Sequence, residues 1–242
     1  MRISLLRFGA LTLAALLGVL MVAGCGGEKA EEEEIEGVED FWARASEADK
    51  NISSCHMEIT SYYLNTQYGS GPMQSMIIEV NGDDLHEKEL LFGQVYAEYI
   101  KVDGKQYSKD MLEDTWKELT ASALEDTAAE YTSQFLELPT KASSHEHLGS
   151  EAIDGVEAER FHFTLSPLRI VNMFSATTPN FDFSGNGGGE VDVWIDTENY
   201  YMVRYDLVIK GVVIPEEIGL GDIRFVVNIS QINQPIEIIA PI

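Results

Sequence analysis

Positive charge is scarce in this sequence. Sixteen Lys and Arg face 41 Asp and Glu over 242 residues, a net charge of −25, and a surface this acidic excludes nucleic acid and other polyanions as partners. Cysteine is scarcer still: Cys25 and Cys55 are the only two, too few for a disulfide framework. Catalytic signatures are missing as well. There is no G-x-S-x-G and no H-E-x-x-H, and no spacing among the many carboxylates singles out an acid/base couple. The run Gly185-Asn186-Gly187-Gly188-Gly189 lacks the following Lys-Ser/Thr of a phosphate loop and does not join a strand to a helix. The N-terminal apolar stretch, Phe8 to Gly24, falls short of the roughly 20 residues that span a bilayer comfortably.

That stretch reads as a leader, residues 1–24. Arg2 and Arg7 give a positive start, Leu5, Leu6 and Leu11 to Val22 an apolar middle, and Ala23-Gly24 a small-residue cleavage site. Val22-Ala23-Gly24-Cys25 resembles the bacterial lipobox, in which the cysteine is acylated on sulfur and becomes the first residue. Cys25 is therefore the expected lipidation site, a membrane anchor on the extracytoplasmic face. Each buried acyl methylene contributes about 0.8 kcal/mol to such an anchor. Residues 25–34 follow as an acidic, solvated tether with no apolar face. Losing Arg2 and Arg7 leaves 14 basic residues against 41 acidic ones, a net charge of about −27. Cys55 then has no partner and reads as a buried, unreactive thiol.

From Ile35 onward the pattern is that of one sizeable domain, residues 35–242. Ile35, Val38, Trp42, Ala45 and Ile52 recur at helical spacing, predicting a helix over Ile35 to Asn51. The period then becomes two, with tight turns predicted at Asn81-Gly82, Asp103-Gly104 and Asp154-Gly155. A second helix is expected between Leu112 and Leu138, on the stripe Leu124, Ala128, Tyr131, Phe135 and Leu138, ending at Pro139. Ser166-Pro167 opens a short helical piece reaching Phe174, and Ser175 to Gly189 is too rich in Gly, Asn and Pro to be regular. Three strands close the chain, with Pro235 to Ile242 a candidate extension of the sheet edge. Hairpins in series without βαβ alternation exclude a Rossmann-like sheet. The expected fold class is α+β, with one large curved antiparallel sheet of about nine to eleven strands and helices over its concave side.

Four segments carry a resemblance. They are "ADKNISSCHMEI", "VDGKQYSKDMLEDTWKEL", "GSEAIDGVEAERFHFTL" and "VDVWIDTENYYMVRYDL", the last with Trp194-Ile195-Asp196 before a hairpin and Arg204 on the return strand. With these the chain resembles the LolA-like superfamily of envelope lipid carriers, in particular its LppX/LprG-type lipoproteins, over about Ile35 to Pro241. The resemblance implies an unclosed barrel whose mouth is plugged by helices, around an apolar cavity for acyl chains. The Ser175–Gly189 insert departs from the family pattern and bears on the cavity entrance.

Candidate site residues follow from strand faces. Met57, Ile59, Met76, Ile78, Phe161, Phe163, Leu165, Val203, Tyr205, Leu207, Phe225 and Val227 share the inward faces, and Met173 joins them from the short helical piece. Periodicity alone leaves a filled core and a hollow one both standing, and the resemblance is what favours a lipid-binding cavity. His145-Glu146-His147 lies in a predicted solvated loop without a third ligand nearby, so no metal is assigned. His56 and His162 fall opposite the apolar residues. The resulting reading is a lipid carrier or presenter, monomeric, with no cofactor, metal or catalytic residue. Its partners are a lipid or lipidated ligand and the membrane holding its acyl anchor. The alternative is an accessory domain that binds an envelope protein at the sheet edge and carries no cargo.

Overall fold

Alternating side chains and tight turns build a single antiparallel sheet. A computed structural model describes residues 38–119, 136–174, 187–214 and 219–242, all within the unit Ile35–Ile242. The strands are β1 (Ser54–Thr66), β2 (Gly69–Asn81), β3 (Asp84–Leu91), β4 (Gln94–Val102), β5 (Lys105–Asp110), β6 (Thr115–Glu118), β7 (Ser144–Ile153), β8 (Val156–Leu165), β9 (Gly189–Asp196), β10 (Met202–Ile214) and β11 (Gly219–Ser230). Their order is β6-β5-β4-β3-β2-β1-β11-β10-β9-β8-β7. The chain thus runs outward from β1 to one edge, reappears at the other edge as β7, and works back until β11 pairs with β1. Because β6 and β7 do not pair, the sheet stays open. The α+β class and the large, curved, unclosed antiparallel sheet are as expected.

Every neighbour is antiparallel, so the turns fall at two ends. Hairpins β1–β2, β3–β4, β5–β6 and β10–β11 turn at one end, here the rim; β2–β3, β4–β5, β7–β8 and β9–β10 turn at the other, the base. Asp103-Gly104 and Asp154-Gly155 take the left-handed pair of conformations a two-residue hairpin requires. The β2–β3 turn sits one residue later than the sequence suggests. Asn81 stays in the ladder opposite Asp84, its amide donating to the Ile236 carbonyl at 2.9 Å. Gly82-Asp83 makes the turn, with only Gly82 at positive φ.

Three described helices accompany the sheet: α1 (Val38–Asp49), α2 (Leu138–Lys141) and α3 (Pro167–Phe174). α1 is two residues shorter at its end than its stripe implies. Ile52 N–H bonds back to the Asp49 carbonyl at 3.1 Å and Ser53 N–H to the Asn233 side chain at 2.7 Å, which turns the chain into β1. Of the helix expected through Leu124, Tyr131 and Phe135, those residues lie outside the described ones. Leu138 instead begins α2, with Pro139 inside its first turn, where a missing N–H does no harm.

The main core lies on one face, where α1 (Trp42, Ala45), β1 to β3 (Met57, Ile78, Leu85) and β8 to β11 (Phe163, Val193, Leu207, Val227) join in one cluster. Two smaller clusters occupy the outer face. Ile100, Val102 and Tyr107 are covered by Trp116 and Ile238, and Ala158, Trp194 and Val203 by Ile153 and Ile232. The tail supplies Ile232 and Ile238, so it lies against this face. It is irregular rather than an added strand. Its polar groups are held elsewhere: Ser54 Oγ donates to the Gln234 carbonyl at 2.7 Å and Asn233 N–H to the Ser54 carbonyl at 2.8 Å.

Candidate functional site

The inner face divides into a sealed region and a more open one. Over the sealed part, α1 lays the Trp42 ring edge-on to Phe161 and Phe163, each with centroids 5.3 Å apart. Phe41 reaches Phe161 at 5.5 Å and Tyr200 at 5.2 Å, and Arg44 donates to the Tyr200 hydroxyl at 2.8 Å. Beneath them Met57, Ile78, Phe161 and Phe163 have no exposed surface. Near the rim α3 sets Ile170 over Gly189, where an added Cβ would strike the isoleucine side chain.

On β1, β2 and β11 the same face is only partly covered. Ile59 pairs with Met76 across β1–β2 and with Val227 across β1–β11, and Ser61 lies opposite Phe225. Ile59, Tyr63, Met73, Met76 and Phe225 all pack on the core while keeping some surface accessible. Gly71 makes room here: a Cβ at that position would stand 3.2 Å from the Tyr63 hydroxyl. One strand further the chemistry changes. Met76 is paired directly with Glu89, and Ile78 with the buried Glu87. Gln74 donates to Glu89 at 3.0 Å, and the Tyr96 hydroxyl donates to the same carboxylate. Removal from water, then this bond, pushes the Tyr96 phenol above its ordinary range. An apolar strip thus borders a polar one, an arrangement that suits a ligand with a hydrocarbon part and a polar head.

The lipoprotein LppX of Mycobacterium tuberculosis superposes with a TM-score of 0.51 at 15% identity, covering 83% of this chain and 98% of that one. LprF of Mycobacterium bovis gives 0.53 at 16%, covering 84% and 95%. This chain has the fold of LppX and LprF. No family model matches the chain, and no curated protein matches it in sequence. MucB of Pseudomonas aeruginosa, seen in complex with MucA, reaches only 0.34 at 15%, too loose a likeness to say how this chain works.

Within this LppX-type fold the residues singled out by strand face have different surroundings. Met57, Ile78, Phe161, Phe163, Leu165 and Tyr205 are buried, whereas Ile59, Met76 and Phe225 belong to the partly covered region. Val203 is on the wrong side. The β9–β10 register shifts between Met202 and Arg204, a bulge that turns Met202 into the main core and puts Val203 with Trp194 and Ala158 on the outer face. Met173 belongs to α3, but its side chain lies outside the described residues, as does Cys25. Tyr63 and Met73 were missed. Tyr63 continues the alternation of Ile59 and was there to be found; Met73 sits at a register irregularity that no period announces.

His145 and His147 correct another expectation, since they lie on the edge strand β7 rather than in a loop. Both share the inner face: the His147 ring meets Phe161 at 5.0 Å and its Nε2 lies 2.6 Å from Glu159. Aromatic packing and one carboxylate account for them. Among the described residues no group of three or more His, Cys, Asp and Glu is placed to hold a metal. His56 and His162 face outward, His162 with Nδ1 2.8 Å from Asp192. Cys55 is buried, and desolvation pushes its thiol up to about 11, with Asp49 adding to the shift.

Proposed function

We propose that this protein is a bacterial envelope lipoprotein, held to the extracytoplasmic face of the membrane by acylated Cys25, that binds the acyl chains of a lipid or lipidated ligand and carries or presents it. The domain division of the proposal is leader 1–24, tether 25–34 and binding domain 35–242. The observation that carries it is the partly open apolar strip of Ile59, Tyr63, Met73, Met76 and Phe225, on a fold shared with a lipoprotein. Burying apolar surface there offsets the extraction of a chain from the bilayer at about 0.8 kcal/mol per methylene. The neighbouring Gln74–Glu89–Tyr96 group offers carboxylate and hydroxyl oxygens to a headgroup. With so acidic a protein, a neutral or glycosylated headgroup fits better than an anionic one. The role is that of a carrier and not an enzyme.

The test is organic extraction of the purified Ile35–Ile242 unit followed by mass spectrometry. Stoichiometric co-purified lipid, or saturable uptake of a fluorescent fatty acid, supports the reading. A clean extract with no uptake would reject it in favour of an accessory domain engaging an envelope protein, for which β7, at the end of the described strand order, offers an edge.

A further inference from the structure

The two ends of the sheet carry different chemistry. At the base the turns are Gly82-Asp83, Asp103-Gly104, Asp154-Gly155 and Thr197-Glu198-Asn199, all small or polar, and Tyr200 and Tyr201 after the last of them are partly buried. At the rim every described hairpin exposes a large apolar side chain. Tyr68 stands at the β1–β2 turn, Phe92 at β3–β4, Leu112 at β5–β6, and Val213 and Leu220 flank the β10–β11 connection; Leu168 of α3 follows β8. Among the described residues the base exposes Val156, at 36%, besides Ile239 and Ile242 in the tail.

Phe92 sharpens the contrast. Phe92-Gly93 has the same left-handed backbone pair as Asp103-Gly104 and Asp154-Gly155, a conformation that Asp tolerates and a bulky residue resists. The side chain is nevertheless 78% exposed and outside the core, and Leu112 is fully exposed. Neither is buried against the core, which directs attention to what they meet outside. In sheet order the tips Leu112, Phe92, Tyr68, Leu220 and Leu168 recur every two strands, about 10 Å apart. A row so evenly spread fits a plane better than the relief of a protein.

We propose that the rim is a second membrane contact, separate from the acyl anchor, in which these loop tips enter the interface of a bilayer. The net charge of −25, with Lys109 and Lys117 beside Leu112 already paired to Asp114 and Glu113, directs it to zwitterionic rather than anionic lipid. The proposal stands whether or not the inner face carries cargo.

The test places one indole at each end of the full-length protein, in phosphatidylcholine vesicles containing a lipid with a nitroxide high on its acyl chain. Phe92→Trp and Asp103→Trp share one backbone conformation at opposite ends, and the unsubstituted protein gives the background of the three native tryptophans. The rim indole is expected to be quenched at least twofold more than the base indole. Leu112→Trp, at a fully exposed site, reads the same outcome if Phe92→Trp misfolds. Equal quenching at both ends, or none at the rim, overturns the proposal. So does rim quenching that requires envelope proteins in the vesicles, which would make the rim a protein-docking surface.

Discussion

Phe163 and Met76 lie on the same face of the sheet and respond to different measurements. Phe163 is wholly enclosed beneath Trp42, so Phe163→Ala is expected to lose about 3–5 kcal/mol in urea unfolding; Phe163→Glu is expected to prevent folding, being a test of the core and not of uptake. Met76 keeps surface accessible. Met76→Glu is expected to preserve the circular dichroism spectrum while lowering fatty-acid uptake at least tenfold, and unchanged uptake would remove the strip from the site. Cys55 gives a pH prediction. Its folded pKa is raised from 9.0 to about 11, so burying the neutral thiol stabilises fully below pH 9, and that contribution is lost as pH rises through 11. A thiol reagent at pH 8 should label it only after urea is added. At this scale the alternation of Met57, Ile59 and Phe161, Phe163 was readable because burial on one face demands it. Val203 was not, since a bulge adds a residue without changing composition.

Around α3 the glycines explain what composition alone obscured. The Gly-rich run suggested an irregular insert, yet its last three residues lie where two strands crowd. Lys210 N–H bonds to the Gly188 carbonyl at 2.9 Å, a Cβ on Gly188 would lie 2.7 Å from the Leu165 carbonyl oxygen, and one on Gly189 would collide with Ile170. Gly189→Ala should therefore destabilise by about 1–3 kcal/mol through overpacking. Ile170→Ala in the same chain should recover part of that loss, and strict additivity of the two would show that they do not touch. The hairpins at Asp103-Gly104 and Asp154-Gly155 were legible because only a few residues accept left-handed backbone. The β7 strand with His145 and His147 was not, as an edge strand with one exposed face lacks the clean alternation of an inner one.

For the molecule as a whole, the strand count and antiparallel class followed from turn spacing and the open sheet from the family resemblance, while a filled or hollow interior did not follow from the residues, because either satisfies a period of two. Ligand linkage addresses that question directly. A long-chain fatty acid at 100 times its dissociation constant should raise the unfolding free energy by about 2.7 kcal/mol, visible as a higher melting temperature; no shift with any acyl ligand would sink the carrier reading. The pairing of β1 with β11 also has a bearing on biogenesis. The strand made first waits for the strand made last, so Met57 gains its neighbour Ile229 only when nearly all of the chain has emerged. A half-finished polypeptide therefore lacks the seam that joins its two meanders, and remains loose enough to be threaded through a narrow pore before it locks.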